Sequence, residues 1–199
     1  MAGLRLQAVQ PLGLDPVSLT LERGERVFLS GPSGSGKTLL LRAVADLDPH
    51  PGEVYLDGTA RSSMSGPSWR RRVGYLPAES HWWGEQVGDH FPGSASQLLA
   101  ALGFDASVLG WEIRRLSTGE RQRLALARLL ANAPEVLLLD EATANLDPPN
   151  RARVEALVDE YRTGEGAAVL WVSHDPDQRS RLGGRRYLIR EGAVAEEVA

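Results

Sequence analysis

Gly31-Pro32-Ser33-Gly34-Ser35-Gly36-Lys37-Thr38 has the spacing G-x-x-x-x-G-K-[ST], in which backbone N–H groups and one ammonium surround phosphate oxygens. Lys37 is the chain's single lysine; the other 21 of its 22 basic residues are arginine. Arginine carries a wide planar fork, whereas lysine carries a compact point charge that can enter a tight loop. A chain that uses arginine everywhere else therefore marks position 37 as needing the smaller cation. The candidate phosphate-contacting set is Gly31, Pro32, Ser33, Gly34, Ser35, Gly36, Lys37, Thr38 and Leu39, with the N–H groups of 34–37 turned toward the β- and γ-phosphates of a nucleoside triphosphate. Lys37 would neutralise the outer phosphates, and the Thr38 hydroxyl would ligate Mg2+.

Further along, an apolar run, Val136-Leu137-Leu138-Leu139, ends in Asp140-Glu141. A carboxylate at the end of a core strand beside a phosphate loop can hold Mg2+, which assigns Asp140 as a candidate metal ligand with Thr38. The adjacent Glu141 is placed to accept a proton from an attacking water. Leu116-Ser117-Thr118-Gly119-Glu120 precedes a helical stretch: Ser117 and Glu120 form a capping box, and the helix tip with the Gly119 N–H is also an anion site. His174 follows the apolar run Val169-Leu170-Trp171-Val172-Ser173. By its residues alone it is either a surface histidine or a contact to the terminal phosphate.

The elements that must position these groups follow from periodicity. Residues 4–9 and 17–21 alternate as strands, and 25–30 is a buried strand running into the glycine loop. Residues 37–45 form a helix, which gives the strand–loop–helix context the motif requires. Residues 53–57 and 73–76 read as strands, and the Ser/Gly/Pro-rich 59–68 reads as loop. Arg70-Arg71-Arg72 reads as a solvated turn before a strand rather than a phosphate or lipid patch. From 78 to 115 Gly, Pro and Ser are frequent, with a helix expected at 96–102, so this stretch is expected to be a small inserted helical lobe. Residues 120–131 and 149–162 are amphipathic helices, and 136–139 and 169–172 are core strands. Strands alternating with helices imply an α/β fold, a mainly parallel sheet covered on both faces. The chain forms one domain over 1–199, with 1–77 and 116–199 as the nucleotide-binding core and 78–115 as the lobe.

The bulk composition excludes several classes. At 42% hydrophobic and 24% charged the chain is an ordinary globular protein, and its net charge of −4 offers no basic field for nucleic acid. The absence of cysteine rules out a disulfide framework and a thiolate metal site. The N-terminus shows no secretory pattern, and no apolar run reaches the ~20 residues of a membrane helix, so a cytoplasmic protein is expected. Any membrane-spanning part would belong to another chain.

In this order and spacing, 31–38, 116–120, 137–141, Ala144-Asn145-Leu146-Asp147 and Ser173-His174 resemble the nucleotide-binding subunit of an ATP-binding cassette (ABC) transporter, over nearly the whole chain. The resemblance implies the finer form of the fold, a P-loop NTPase with a RecA-like parallel core sheet, an antiparallel β edge and the inserted subdomain. It implies an ATPase using ATP and Mg2+. It also implies a second cassette, as a homodimer or paired homologue, arranged head to tail so that each ATP lies between one phosphate loop and the other chain's Ser117, Gly119 and Glu120. It further implies that Glu141 is the base, that His174 orients the γ-phosphate and water, that Lys37 stabilises charge, and that Asp147 links the two sites. A separate transmembrane subunit would hold the cassette on the inner face of a membrane. The alternative is a soluble, non-transport ABC ATPase acting as a nucleotide-gated dimerisation module; a P-loop kinase would leave 116–120 unexplained.

The chain departs from the family pattern at three places. Ala78, followed by Glu79, stands where the family usually has glutamine, which implies slow or loosely coupled hydrolysis. Glu79 is either a substitute metal ligand or a solvent-facing acid. No aromatic residue occurs in Gln10-Pro11-Leu12-Gly13-Leu14, where the family stacks adenine, which implies weak base selectivity. Thr118 and Glu120 replace glycine and glutamine in the signature. In the short lobe, Trp82-Trp83 is either an aromatic contact for a membrane partner or the lobe's own core.

Overall fold

The computed structural model describes residues 2–91, 93 and 95–197; Met1, Val198 and Ala199, the ends of the expected domain span, lie outside the described residues. The chain begins with β1 (Ala2–Val9) and β2 (Val17–Glu22); the alternating burial of β2 matches a sheet with one face on the core, and in β1 the alternation breaks where its register against β2 shifts. These strands join β4 (Glu53–Leu56) and β5 (Thr59–Ala60) in an antiparallel sheet ordered β2-β1-β4-β5. The second sheet contains β3 (Arg26–Ser30), β6 (Val73–Leu76), β7 (Val136–Asp140), β8 (Ala168–Val172), β9 (Arg185–Arg190) and β10 (Ala193–Glu196), in the order β10-β9-β3-β8-β7-β6. From β9 to β6 every pairing is parallel, and only β10 is antiparallel. All five residues of β7 and of β8 are buried, as strands covered on both faces require.

The helices are α1 (Lys37–Val44), α2 (Gly66–Arg72), α3 (Ser96–Ala101), α4 (Thr118–Leu130), α5 (Pro148–Glu165) and α6 (Pro176–Leu182). One apolar core lies between the antiparallel sheet, α1 and one face of the parallel sheet, and includes Leu40, Leu41, Trp69 and Leu138. A second covers the opposite face and gathers Trp171, Leu124 and Val158 with Val87, Leu99 and Val108 of the 78–115 stretch. That stretch contains α3 and three 3-10 turns, so its packing depends on the face of the sheet it covers. Among the described residues, no helix is long and apolar enough to cross a membrane.

Two sequence expectations need correction. Residues 59–68 are not all loop: they contain β5, a 3-10 turn at Arg61–Ser63 and the start of α2. Ser65 caps α2 by accepting from the Ser68 N–H, and a proline lies in its first turn, so loop-like composition masked a start signal. Arg70, Arg71 and Arg72 are accordingly the last turn of a helix, where cations face its negative end, rather than an open turn. In addition, α6, β9 and β10 extend the sheet beyond the last core strand read from the sequence.

Candidate active site

The parallel strands bring the candidate residues to one edge. The phosphate loop leaves β3, Asp140 ends β7, and His174 follows β8, all at carboxyl ends of neighbouring strands, where open α/β sheets bind ligands. Gly36 has φ 100, and a Cβ there would lie 2.8 Å from Leu14 Cδ2, so the loop's curvature requires glycine. Helix α1 starts at Lys37 with no side-chain cap, whereas Ser65, Ser117, Asp147 and Asp175 cap α2, α4, α5 and α6. The first-turn N–H groups of α1 thus remain available to an anion. The buried Ser35 hydroxyl has no partner, a second feature that fits a phosphate oxygen.

The Lys37 ammonium donates to the carbonyl oxygens of Gly31 and Pro32 at 2.9 and 2.7 Å, and the residue as a whole is 6% exposed. Burial lowers its pKa, opposed by the charges of Glu141 and Asp140. Thr38 Oγ1 donates to Asp140 Oδ2 at 2.7 Å, bringing together two hard oxygen donors of the type Mg2+ selects. Tyr75 Oη, which the sequence reading did not single out, donates to the same Oδ2 at 3.2 Å. Burial and the neighbouring carboxylate push its phenol pKa up, so the hydroxyl remains a donor.

Strand register explains how Glu141 meets His174. Asp140 pairs with Val172, and Glu141 N donates to the Val172 carbonyl at 3.1 Å, which sets the following residues of both strands side by side. Glu141 Oε1 lies 3.1 Å from His174 Nε2, with both side chains partly open to solvent. Glu141 has φ 50, a left-handed conformation that a non-glycine residue holds only when its surroundings impose it. A buried network fixes the turn carrying His174. Ser173 Oγ donates to Gln178 Oε1 at 2.6 Å, and Gln178 Nε2 donates to Thr143 Oγ1 and Glu155 Oε1, both at 2.8 Å. Sequence spacing gave no signal for this network, because its members come from four separate segments: the turn after β7, α5, the residue after β8 and α6. A cavity of about 310 Å³ bounded by Glu141, Arg151, Ser173 and His174 opens beside it.

The remaining predicted residues form a second group. Ser117 accepts from Glu120 N at 3.2 Å while Glu120 Oε2 accepts from Ser117 N at 2.8 Å, so the capping box read from the sequence is present. The bonds that the Glu120 carboxylate accepts from Ser117 N, and from Ser117 Oγ at 2.7 Å, lower its pKa. A Cβ on Gly119 would touch Leu146, and Asp147 caps α5 by accepting from Asn150 N at 2.9 Å. Ser117, Gly119 and Asp147 are therefore neighbours at two helix tips. Ser117 and Glu120 bond to each other and, through the Ser117 carbonyl, to Arg121 N, while a Cβ on Gly119 would meet Leu146 and Asn145 rather than the phosphate loop. Ala78 and Glu79 are both exposed, and no contact joins Glu79 to Thr38 or Asp140.

The segment ahead of the phosphate loop exposes an aliphatic side chain: Leu12 is 89% exposed, two residues before the Leu14 that packs on Gly36. ATP and GTP are therefore expected to bind with comparable affinity, and Leu12→Tyr is expected to tighten both by roughly fivefold, about 1 kcal/mol of base stacking. Calorimetric titration with the two nucleotides checks this; strong preference for ATP in the wild type contradicts it.

The structure separates Trp82 from Trp83. Both rings meet His90 edge-on, at 4.8 and 4.4 Å, but Trp82 packs against the second core whereas Trp83 is 76% exposed. The Arg128 guanidinium lies 4.5 Å from one ring centre and 5.0 Å from the other. Trp82→Ala is expected to cost about 2 kcal/mol, below the ~3–5 of a fully buried tryptophan, and Trp83→Ala about 1 kcal/mol or less. Chemical denaturation of both variants decides, and equal losses would contradict the division.

An uncapped helix after a glycine loop, a hydroxyl–carboxylate pair and a glutamate–histidine pair together define a P-loop nucleotide hydrolase. The family model described as ABC transporter matches residues 14–144, and the chain belongs to that family. It is 37% identical to the aliphatic sulfonates import ATP-binding protein SsuB 2 of Frankia alni, over 98% of this chain and 78% of that one. It is 34% identical to the probable iron export ATP-binding protein FetA of Escherichia coli, over 83% and 79%. Among solved structures, it is similar to the dimeric post-hydrolysis state of the ATP-binding cassette MJ0796 bound to ADP and Pi, with TM-score 0.84, 25% identity and coverage of 98% and 97%. The chain is an ATP-binding, ATP-hydrolysing ABC transporter subunit, as the resemblance implied; these relatives lend no support to the non-transport alternative.

Proposed function

We propose that two copies of this cassette, or one copy and a homologue, close over two ATP·Mg2+, and that closure drives a separate membrane-spanning partner from the cytoplasmic side. The observation that carries this reading is the division of the candidate residues. Lys37, Thr38, Asp140, Glu141 and His174 converge at the sheet edge, while Ser117, Gly119 and Asp147 gather at two other helix tips. A head-to-tail pair would bring the second group of one chain to the first group of the other.

In this reading residues 31–39 wrap the phosphates, and Lys37 exchanges its loop carbonyls for phosphate oxygens. Thr38 and Asp140 hold Mg2+, which would neutralise charge between the outer phosphates. Glu141 takes a proton from the attacking water as the water oxygen bonds to the γ-phosphorus and the bond to the ADP oxygen breaks. His174, tied to Glu141, orients that water and the γ-phosphate. The second chain's Ser117 and Gly119 N–H stabilise the transferred group, with Glu120 holding the Ser117 cap, and Asp147 carries closure from one site to the other.

Residues 1–77 and 116–199 form the nucleotide core, and 78–115 form the lobe that meets the membrane partner, with Trp83 on its exposed surface. The iron export and sulfonates import named for the relatives support a transport role without choosing a cargo. Purification from membranes of its own cell, and co-expression with any membrane-spanning reading frame found next to its own, test the partner. A complex should co-purify and weaken with Trp83→Ala; a cassette that never associates with membranes under any nucleotide condition overturns the transport half.

A further inference from the structure

We infer that Tyr75 is a positioning residue that ties the Asp140 carboxylate to the groove bordered by Trp83, His90 and Arg128, so that metal binding and the state of that groove report on each other. The inference rests on the assignment of Asp140 to Mg2+ made above.

Tyr75 lies on β6, the edge strand of the parallel sheet, one residue from its end. It pairs with Leu138, so Asp140 is its diagonal neighbour two residues along the same face, within reach of a long side chain. The phenol uses that reach: its hydroxyl donates to Asp140 Oδ2 at 3.2 Å, the oxygen that also accepts from Thr38 at 2.7 Å. The same residue borders a cavity of about 420 Å³ whose other walls include Trp83, His90, Phe91 and Arg128. Beyond the strand, Gln122 Nε2 donates to the Pro77 carbonyl at 3.0 Å and Ser80 Oγ donates to Gln122 Oε1 at 2.9 Å, so the chain leaving β6 is fastened to α4, the helix headed by Ser117. The Tyr75 ring packs on the first core, whereas Phe91, Ala125 and Leu129 of the groove belong to the second, so β6 is the element the two sides share, and a displacement of the groove wall is expected to carry the phenol hydroxyl with it. Ala78, exposed and without a polar side chain, offers no competing route from this turn to the carboxylate.

Hydrogen bonds that orient a metal-ligating carboxylate commonly govern 10–100-fold in affinity. Tyr75→Phe keeps the ring and its packing and removes only the hydroxyl. The test uses the full chain and a non-hydrolysable ATP analogue, with analogue binding followed by calorimetry as Mg2+ is titrated. Tyr75→Phe is expected to raise the half-saturating Mg2+ about tenfold. In parallel, Trp83 emission, isolated by subtracting the spectrum of Trp83→Phe, should change on Mg2+·analogue binding in the wild type and stay flat in Tyr75→Phe at saturating Mg2+. Both results together support the inference. An unmoved midpoint, a Trp83 response that persists without the hydroxyl, no response in the wild type, or a shift that vanishes when variants are compared at equal folded fraction overturns it. Asp140→Asn separates the two levels: if it too leaves the Mg2+ midpoint unmoved, the metal assignment fails; if it shifts the midpoint and Tyr75→Phe does not, only the role of Tyr75 fails.

Discussion

Glu141→Gln is expected to bind ATP·Mg2+ normally and to lose turnover by roughly 10²- to 10⁴-fold, the range that removal of a positioned general base produces. The amide keeps the size and reach of the carboxylate, so the contact to His174 Nε2, now 3.1 Å from the Glu141 carboxylate, can persist. It cannot take a proton from water. The side chain is partly exposed, and its left-handed backbone is held by the hydrogen bond from Glu141 N to Val172, so the change should leave the melting temperature nearly unchanged. Phosphate release measured beside nucleotide binding separates chemistry from affinity. Full turnover in the variant would remove Glu141 from its assigned role.

Lys37→Arg is expected to behave as badly as Lys37→Ala, a result that charge conservation alone would not anticipate. The ammonium lies within 2.9 Å of two carbonyl oxygens of its own loop, and the residue as a whole is almost wholly buried. A planar guanidinium with five donors is too broad for that place and would have to push the loop open. Loss of one charge-assisted contact of about 2–3 kcal/mol corresponds to roughly a hundredfold weaker ATP binding. Titration with ATP measures it. An arginine variant of wild-type affinity would mean that the single lysine of this arginine-rich chain has no steric meaning.

The candidate residues that gather at the strand ends and at the tip of α4 were legible because they are written contiguously: the glycine loop, the Asp140-Glu141 pair and the Ser117–Glu120 box each fit within a few residues. Strands β3, β7 and β8 were legible for the same reason, as short apolar runs ending in polar residues. What escaped depends on distance in sequence. The Tyr75–Asp140 bond joins residues 65 apart and follows from register, which no local pattern carries. Gln178 looks like a solvated residue of a polar helix, yet it is 0% exposed because Thr143 and Glu155 arrive from elsewhere to receive it. Helix α2 escaped for a different reason. Its seven residues, Gly66–Arg72, span barely two turns and are too few to establish a repeating apolar face, and only the Ser65 cap and the proline after it announced the start.

The central claim is that an ATP site is complete only when a second chain supplies its Ser117. Light scattering of the Glu141→Gln chain with and without ATP·Mg2+ tests it most directly. The expected mass is that of one 21.6 kDa chain without nucleotide and twice that with it. Ser117→Arg in the same background should abolish the heavier species while nucleotide still binds. A chain saturated with ATP·Mg2+ at millimolar nucleotide that remains at 21.6 kDa would contradict the account.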